Sequence, residues 1–376
     1  MNDEILKYWI ALKSIKGIGY VSFPALVDRF GSPAAVFSAS VSDLQRTEGI
    51  SSRIATAIVD FRGWDNIKAE LELIHKYNVK IVTYRDESYP QQLLNVYDRP
   101  PYIYVRGNLN NEDINIAIVG SRAASTYGKY TTERISRDLA LQGVTVVSGM
   151  ARGIDSSAHR GAITAHGRTV AILGSGLDVI YPPENKKLFA DIIENGAVIS
   201  EFPMGTPPRS TNFPARNRII SGMSYGVVIV EAGEKSGSLI TARLALEQGR
   251  EVFAVPGSID SAGSRGTNKL IKQGAKLIEN TEDILEEILP QIEQRKPLKG
   301  FSTPETLNAS SPRVEKLNAV EQKLYDLVSP KRMHIDDLIS LTGFSSADIL
   351  SALTTMELKG IVRQHPGKFF SAERTN

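Results

Sequence analysis

The hydrophobic pattern of the chain changes character near residue 112. Over residues 1–75, apolar positions recur at helical spacing between short turns, which predicts a small helical domain. From about residue 112, short runs that are apolar throughout alternate with segments of helical periodicity. Strands without a polar face are expected where both faces of a sheet are covered. This region therefore predicts an α/β domain with a doubly wound parallel sheet.

The helical region contains two copies of one pattern. Residues 12–30 and 44–58 each predict a helix, a tight glycine turn and a second helix, and the second turn has one glycine, Gly49. Both copies resemble helix–hairpin–helix units, in which turn glycines let backbone N–H groups approach a DNA phosphate. The same pattern also serves in helical bundles that only pack. The sequence leaves both interpretations open for this predicted SAM-like domain.

The remaining domain boundaries follow from smaller changes in hydrophobic pattern and composition. Two extra strands near 81–84 and 102–105 extend the sheet domain, which we expect to span 76–290 with an extended Rossmann-like fold. Residues 291–315 lack periodicity and are rich in Lys, Pro, Ser and Thr, as is typical of a linker. Residues 316–376 predict three helices and two short strands, the order of a winged helix. Its third helix is poor in basic residues, so DNA binding and protein binding both stay open.

Composition narrows the class of protein. The chain is 41% hydrophobic and 23% charged, which is ordinary globular usage, and it has no cysteine. Disulfides, thiolate metal sites and cysteine nucleophiles are therefore excluded. The acidic start lacks an apolar signal core, and no apolar run reaches the length of a membrane span, so we expect a soluble intracellular protein. The net charge is +2, but residues 120–276 hold 19 basic and 13 acidic residues, a local excess of +6.

Several common chemistries have no matching motif. There is no P-loop, and the turn at Gly174 and Gly176 lacks the third glycine of a dinucleotide site because position 179 is Val. None of the five histidines has metal-ligand spacing, and no Gly-x-Ser-x-Gly elbow follows a strand. The sequence therefore predicts no metal and no cofactor, and it offers no candidate for P-loop, hydride-transfer or acyl-transfer catalysis.

Glycine-rich turns follow the predicted parallel strands at 120–122, 148–153, 233–238 and 256–258. Backbone N–H groups and hydroxyls at helix N-termini suit phosphate binding, and this edge of an open α/β sheet is its binding edge. Basic side chains and one aromatic ring come from the same region: Arg122, Arg152, Arg209, Phe213, Arg216 and Arg218. Arginines with a ring are typical of single-stranded nucleic acid sites. The alternative is that Arg216 or Arg218 is a buried ion-pair partner and that the Phe213 ring belongs to the core.

Longer motifs carry a resemblance to a known family. They include Val-Gly-Ser-Arg at 119–122, Ser-Gly-Met-Ala-Arg-Gly-Ile-Asp at 148–155 and Phe-Pro-Ala-Arg-Asn-Arg at 213–218. Together with 173–182, 200–201 and 230–257, they resemble the DNA-processing protein A family (DprA/Smf) across about 115–280. The resemblance implies a cytoplasmic bacterial protein without enzymatic activity. It would bind and protect incoming single-stranded DNA during natural transformation and help to load the RecA recombinase.

The resemblance also implies which residues act. The DNA-binding residues carried over to this sequence are Gly120, Ser121, Arg122, Gly149, Arg152, Arg209, Phe213, Arg216, Asn217, Arg218 and Ser238. Some members have lysine directly after the Tyr-Pro pair, where this chain has Pro183, so Lys186 or Lys187 is the candidate replacement. Members dimerise through the end of the sheet domain. The matching apolar residues here are Leu270, Ile271 and Leu277, which could equally be ordinary core.

One enzymatic alternative remains. The helix start at 236–238, with Glu231 nearby, is similar to nucleoside-monophosphate phosphoribohydrolases of the lysine-decarboxylase-like group. The Pro-Gly-Gly-x-Gly-Thr loop of those enzymes is absent from the corresponding stretch, 231–238. Release of free base from nucleoside monophosphates would distinguish this activity from DNA binding.

Overall fold

The computed structural model describes residues 3–293, 319–328, 333–358, 361–365 and 369–372. The chain divides into two compact units, 1–298 and 299–376. The first unit holds both the helical region and the large sheet. The second holds the small C-terminal fold. Most of the linker predicted at 291–315 lies outside the described residues.

Six helices form the N-terminal part of the first unit. They are α1 (Asp3–Ser14), α2 (Ser22–Phe30), α3 (Pro33–Phe37), α4 (Val41–Gln45), α5 (Ser52–Val59) and α6 (Trp64–Lys76). The side chains of Ser32, Ser40 and Ser51 accept backbone N–H groups at the starts of α3, α4 and α5. The pairs α1–α2 and α4–α5 confirm the two predicted hairpins. Trp9, Phe23 and Leu26 belong to the hydrophobic core against which these helices pack.

The sheet has nine strands. They are β1 (Lys80–Thr83), β2 (Tyr102–Gly107), β3 (Asn115–Val119), β4 (Thr145–Ser148), β5 (Thr169–Leu173), β6 (Gly196–Ser200), β7 (Gly226–Ile229), β8 (Glu251–Ala254) and β9 (Lys276–Leu277). Their order is β1-β2-β6-β5-β4-β3-β7-β8-β9. Strands β3 to β9 pair in parallel, and β1 and β2 join antiparallel at one edge. The predicted doubly wound sheet and its two added strands are confirmed.

The strands lie where the apolar runs predicted them because their side chains are covered on both faces. Every residue of β3, β4, β5, β6 and β7 is buried. The connecting helices are α7 (Gln91–Leu94), α8 (Thr126–Leu141), α9 (Ile154–Thr164), α10 (Lys186–Asn195), α11 (Asn212–Gly222), α12 (Ser238–Glu247), α13 (Arg265–Lys272) and α14 (Glu282–Glu293). Helices α7, α11, α13 and α14 and strand β9 were not predicted. Helix α14 runs three residues past the predicted domain end at 290.

The second unit contains α15 (Ala319–Val328), β10 (Met333–His334), α16 (Ile335–Thr342), α17 (Ser346–Leu358), β11 (Val362–His365) and β12 (Phe369–Ala372). Its three strands form a sheet in the order β10-β12-β11. Leu324, Leu338, Leu353 and Phe370 contribute to its core. The predicted winged helix is confirmed, and residues 366–368, between β11 and β12, lie outside the described residues. None of the helices that the structure describes has the length and hydrophobicity needed to cross a membrane.

Candidate nucleic-acid interface

A cavity of about 610 Å³ opens at the carboxyl ends of the central strands. Its walls come from the turn after β3, from α11 and from the turn that precedes α12. Seven of the predicted DNA-binding residues line it: Gly120, Ser121, Arg122, Phe213, Arg216, Asn217 and Ser238. An eighth, Gly149, lines a small pocket beside it that also includes Arg122 and Phe213. The parallel topology thus brings together residues that are more than 100 positions apart in sequence.

Backbone contacts fix the turn that carries Arg122. The N–H of Ser121 donates to the carbonyl of Glu231 (2.7 Å), and the Ser121 carbonyl accepts from the N–H of Ile154 (3.1 Å). Gly153 has φ +75°, and a Cβ at that position would lie 2.3 Å from the Ser121 carbonyl. Only glycine fits so close a backbone approach in a left-handed conformation. The turns after β3 and β4 therefore hold each other, and both end at the cavity.

Arg122 and Phe213 meet at the cavity. The guanidinium carbon of Arg122 lies 4.8 Å from the centroid of the Phe213 ring, within the range of a cation–π contact. The Tyr181 ring stands 6.1 Å from the Phe213 ring. A Cβ on Gly174 would come within 3.0 Å of the Phe213 ring, so glycine makes room for it. The ring is half-buried and the arginine is beside it, which is the combination that the sequence analysis expected.

Arg216 forms the buried floor of the cavity. Its Nη1 donates to the carbonyls of Gly149 and Ile172, each at 2.6 Å. A Cβ on Gly149 would lie only 1.9 Å from Nη1, so this glycine is required by the arginine. Burial lowers the pKa of Arg216 to about 10. Burial also raises the pKa of the neighbouring Asp155 carboxyl, an effect that the charge of Arg216 opposes.

Arg218 does not line the cavity and has the buried ion-pair environment that the sequence left open as the alternative, so its role in DNA binding stays a prediction. The residue is 5% exposed and forms a short buried ion pair with Glu201, which is also 5% exposed. Its Nη1 donates to the carbonyl of Asp98 (2.7 Å). A guanidinium enclosed and paired in this way is not available to a phosphate. Two arginines that are two residues apart on α11 therefore have different environments.

Arg152 and Arg209 are exposed and do not line the cavity. The Arg152 guanidinium forms a short ion pair with Glu184, and the two side chains are 59% and 50% exposed. Arg209 lies in the loop before α11, directly before Ser210, which does line the cavity. Both arginines can therefore reach a ligand only if it extends beyond the cavity. Lys186 and Lys187 are also exposed, at the start of α10.

Five polar side chains of the cavity were not predicted to bind DNA. They are Asp155, Ser210, Lys235, Ser236 and Thr241. Lys235 lies within the glycine-rich turn at 233–238, so its position in that turn was an available signal. The signal for Asp155 was weaker, because an acidic residue is not expected in a site for an anion.

Glu231, the residue that suggested a hydrolase, has a structural role. Its Oε2 accepts from the N–H of Ser125 (3.1 Å) and from the Ser125 hydroxyl (2.8 Å), at the N-terminus of α8. The Ser236 and Ser238 hydroxyls bond each other at 2.8 Å. Within the described part of the chain, no group of three histidine, aspartate or glutamate side chains is placed to hold a metal ion.

The predicted dimer residues lie at the β9 edge of the sheet. Leu277 is 43% exposed and belongs to β9, the last strand in the sheet order. Leu270 and Ile271 are half-buried on α13, and Leu270 packs against the core. Leu277 is thus exposed enough for a dimer contact, whereas Leu270 packs as ordinary core. The role of the three residues in a dimer stays a prediction.

A Rossmann-like sheet with this basic edge, between a hairpin domain and a winged helix, defines a class of multidomain DNA-processing protein. The family model for DNA recombination-mediator protein A matches residues 80–289. The model for the DprA winged helix domain matches 308–368, and that for the SAM-like helix-hairpin-helix tandem matches 10–62. The chain belongs to the DNA-processing protein A family (DprA/Smf).

Individual relatives agree with this membership. The chain is 40% identical over 339 residues to protein Smf of Escherichia coli, covering 88% of this chain and 87% of that protein. The crystal structure of DNA processing protein A from Streptococcus pneumoniae matches with a TM-score of 0.66 at 34% identity, over 75% of this chain and 97% of that one. DNA processing protein A from Helicobacter pylori, whose structure is described for its single-stranded DNA binding mode, matches with a TM-score of 0.51 at 32% identity, over 56% of this chain and 97% of that one.

Proposed function

We propose that the cavity at the carboxyl edge of the sheet binds single-stranded DNA. The observation that carries this proposal is the contact of Arg122 with the Phe213 ring, beside turns whose backbone is held at the same edge. A base that stacks on the ring would lie next to a cation, and the neighbouring phosphate would reach the Arg122 guanidinium. A duplex offers no unstacked base for this arrangement.

The chemistry favours binding with little sequence preference. Phosphates would meet Arg122 and Lys235, and a base would meet the face of Phe213, which accepts any of the four bases. Arg209 and Arg152, which are exposed, would contact a strand that continues out of the cavity. The Helicobacter pylori relative, described for its single-stranded DNA binding mode, supports the same ligand for this chain.

The wider role follows from family membership. We infer that the protein acts in the cytoplasm, protects incoming single-stranded DNA during natural transformation and helps to load RecA recombinase onto it. We further infer that it forms a homodimer through Leu270, Ile271 and Leu277. Two cavities on one strand would then raise avidity without any new contact. The family model, which describes a recombination mediator, supports this role.

We also propose that the protein acts by binding and not by catalysis. The only residue that suggested a phosphoribohydrolase through its carboxylate, Glu231, is bonded to Ser125 at a helix N-terminus. Incubation with nucleoside monophosphates should therefore release no free base. Release of base that depends on Glu231 would overturn this part of the proposal.

The proposal is tested by titrating a fluorescent single-stranded oligonucleotide with the purified protein at several salt concentrations, with the same sequence as duplex for competitor. We expect a clear preference for the single strand and an affinity that falls steeply with salt, because phosphate contacts release counterions. The variant Arg209→Glu should weaken binding and flatten the salt dependence. No binding at low salt would contradict the proposal, and an unchanged Arg209→Glu would remove Arg209 from the site.

A further inference from the structure

A buried polar cluster lies where the helical domain meets the sheet domain, away from the cavity. Its centre is the ion pair between Glu201, which follows β6, and Arg218 of α11. The Arg218 side chain also faces Asp98, with Nε 3.4 Å from the carboxylate. The proposed function uses none of these groups. The same helix nevertheless carries Phe213 and Arg216 of the cavity.

The first hairpin supplies two side chains to this cluster. The Nζ of Lys13, at the end of α1, donates to the backbone carbonyl of Glu201 (2.8 Å). The hydroxyl of Tyr20, directly after the glycine turn, donates to Oε2 of Glu201 (3.2 Å). The guanidinium of Arg218 lies 4.4 Å from the centroid of the Tyr20 ring. Residues on both sides of the hairpin turn therefore contact one acidic residue of the sheet domain.

The turn itself is bonded internally. The N–H of Gly19 donates to the Ser22 hydroxyl (3.0 Å), and the N–H of Ile18 donates to the carbonyl of Ile15 (3.1 Å). In a hairpin that binds DNA, turn amides are the groups that approach a phosphate. Here those two amides have partners within the hairpin. The contact between the hairpin and an acidic group is made by side chains, and the acid is Glu201.

Helix α6 makes a second contact with the same region. Oε1 of Glu70 accepts from the backbone N–H of Met204 (2.9 Å) and from the Tyr104 hydroxyl (2.8 Å). Met204 lies in the segment that leads from β6 through Arg209 to α11. The helical domain therefore holds this segment near its start, at Glu201 and Met204, and again through Arg218 at its end.

We infer that the first hairpin is a docking element for the sheet domain and not a DNA contact, and that Lys13 and Tyr20 are positioning residues for α11. This inference rests on the proposed function, because the contacts of the hairpin are expected to act on DNA binding at the cavity. A helix moves as a rigid body, so a change at Arg218 also displaces Phe213, which lies little more than one turn away on α11. Binding groups need such supporting contacts to stay in their productive geometry.

Two lysines of one hairpin provide a matched test. Lys13 is directed at Glu201, whereas Lys16 is exposed within the turn itself. If the hairpin docks, Lys13→Met should weaken single-stranded oligonucleotide binding about 10-fold, and Lys16→Glu should leave it unchanged. If the hairpin contacts DNA phosphates, Lys16→Glu should weaken binding and lower its salt dependence. That second result would overturn the inference.

A third variant separates positioning from general stability. Tyr20→Phe removes the hydroxyl bond to Glu201 and keeps the ring beneath Arg218, so it should fold and still weaken binding about 3-fold. Stoichiometric titration with excess oligonucleotide gives the fraction of protein able to bind. A positioning role changes the Kd of that competent fraction. If Lys13→Met and Tyr20→Phe lower only the competent fraction, with an unchanged Kd, the positioning role is contradicted.

Arg122→Ala completes the design because it lies in the cavity and not in the docking cluster. If Arg122→Ala weakens binding while Lys13→Met and Tyr20→Phe do not, the inference fails and the proposed function stands. If Arg122→Ala has no effect either, the proposed function itself has failed.

Discussion

The two sides of α11 place the same residue type in opposite settings. On the cavity side, Arg122 lies over the half-buried Phe213 ring, and Arg216 forms a floor that is bonded to backbone carbonyls. On the docking side, Arg218 is enclosed with Glu201 and Tyr20. The arginines of one sequence motif thus divide between the cavity and the buried contact with the helical domain. Burial and partners, rather than residue type, decide which arginine is accessible to a phosphate.

The largest effect should come from breaking the buried pair. Arg218→Met leaves the Glu201 carboxylate buried without its partner, which should lower the free energy of unfolding by about 3–5 kcal/mol. Urea denaturation measures this loss. Adding Glu201→Gln should recover part of it, because the buried carboxylate that lost Arg218 is then neutral, while Lys13 loses its acidic neighbour. A loss below about 1 kcal/mol would show that the docking side resembles an exposed ion pair.

Substitutions on the cavity side should change the affinity for single-stranded DNA and not the free energy of unfolding. Phe213→Ala removes the stacking face and should cost about 1–3 kcal/mol of binding free energy, with the salt dependence unchanged because no phosphate contact is lost. Arg122→Ala is the matched control, and it should lower the salt dependence. The measurement is the same oligonucleotide titration at several salt concentrations. Equal salt dependence in both variants would contradict the division between ring and cation.

A buried histidine near Arg216 should make stability depend on pH. Burial, with the charge of Arg216 adding to it, lowers the pKa of His159 to about 3, and Nδ1 lies 2.7 Å from the Thr169 hydroxyl oxygen. Between pH 6.5 and 3 the unfolded chain binds a proton that the folded chain does not, so stability falls as the pH falls. His159 should contribute a loss of about 1.4 kcal/mol at pH 5.5 relative to neutral pH.

The measurement for His159 is denaturation of the protein and of His159→Gln from pH 7.5 to 5.5. The difference in unfolding free energy between the two proteins should shrink as the pH falls, because only the original protein has the buried imidazole. Two parallel pH curves would mean that the imidazole is accessible to protons in the folded state.

The smallest effect concerns the exposed pair outside the cavity. Glu184→Gln releases Arg152 from its ion pair and removes one negative charge, which should tighten single-stranded oligonucleotide binding about 2-fold at low salt. Screening should abolish the gain at high salt. The double variant Arg152→Ala with Glu184→Gln is the control. If it gains as much as Glu184→Gln alone, Arg152 takes no part in binding.

Much of the fold could be predicted because its signals are local. Apolar runs covered on both faces gave the parallel strands, and helical spacing broken by glycine gave the hairpins. Helix α11 was missed because it contains Pro214 and its polar and apolar residues are mixed around it. Strand β9 was missed because two residues, Lys276 and Leu277, carry no pattern of their own.

The candidate site was predictable only in part. Turns at the carboxyl ends of parallel strands must meet, so Gly120, Arg122 and Ser238 could be expected together. The burial of Arg218 and its pairing with Glu201 depend on side chains from distant parts of the chain. The contact of Lys13 with Glu201, for example, joins residues 188 positions apart. No local pattern in the sequence reports such a contact, or the ion pair that buries Arg218 against Glu201.

The central claim is that a base stacks at Phe213 in the cavity, and photo-cross-linking tests it most directly. A single-stranded oligonucleotide carrying 5-iodouracil would be irradiated with the full chain, and the modified peptide would be located by mass spectrometry. We predict cross-links at Phe213 or at the neighbouring Tyr181. The variant Phe213→Ala should lack the cross-link at position 213. Cross-links confined to the first hairpin or to the winged helix, with none at the cavity, would contradict the account.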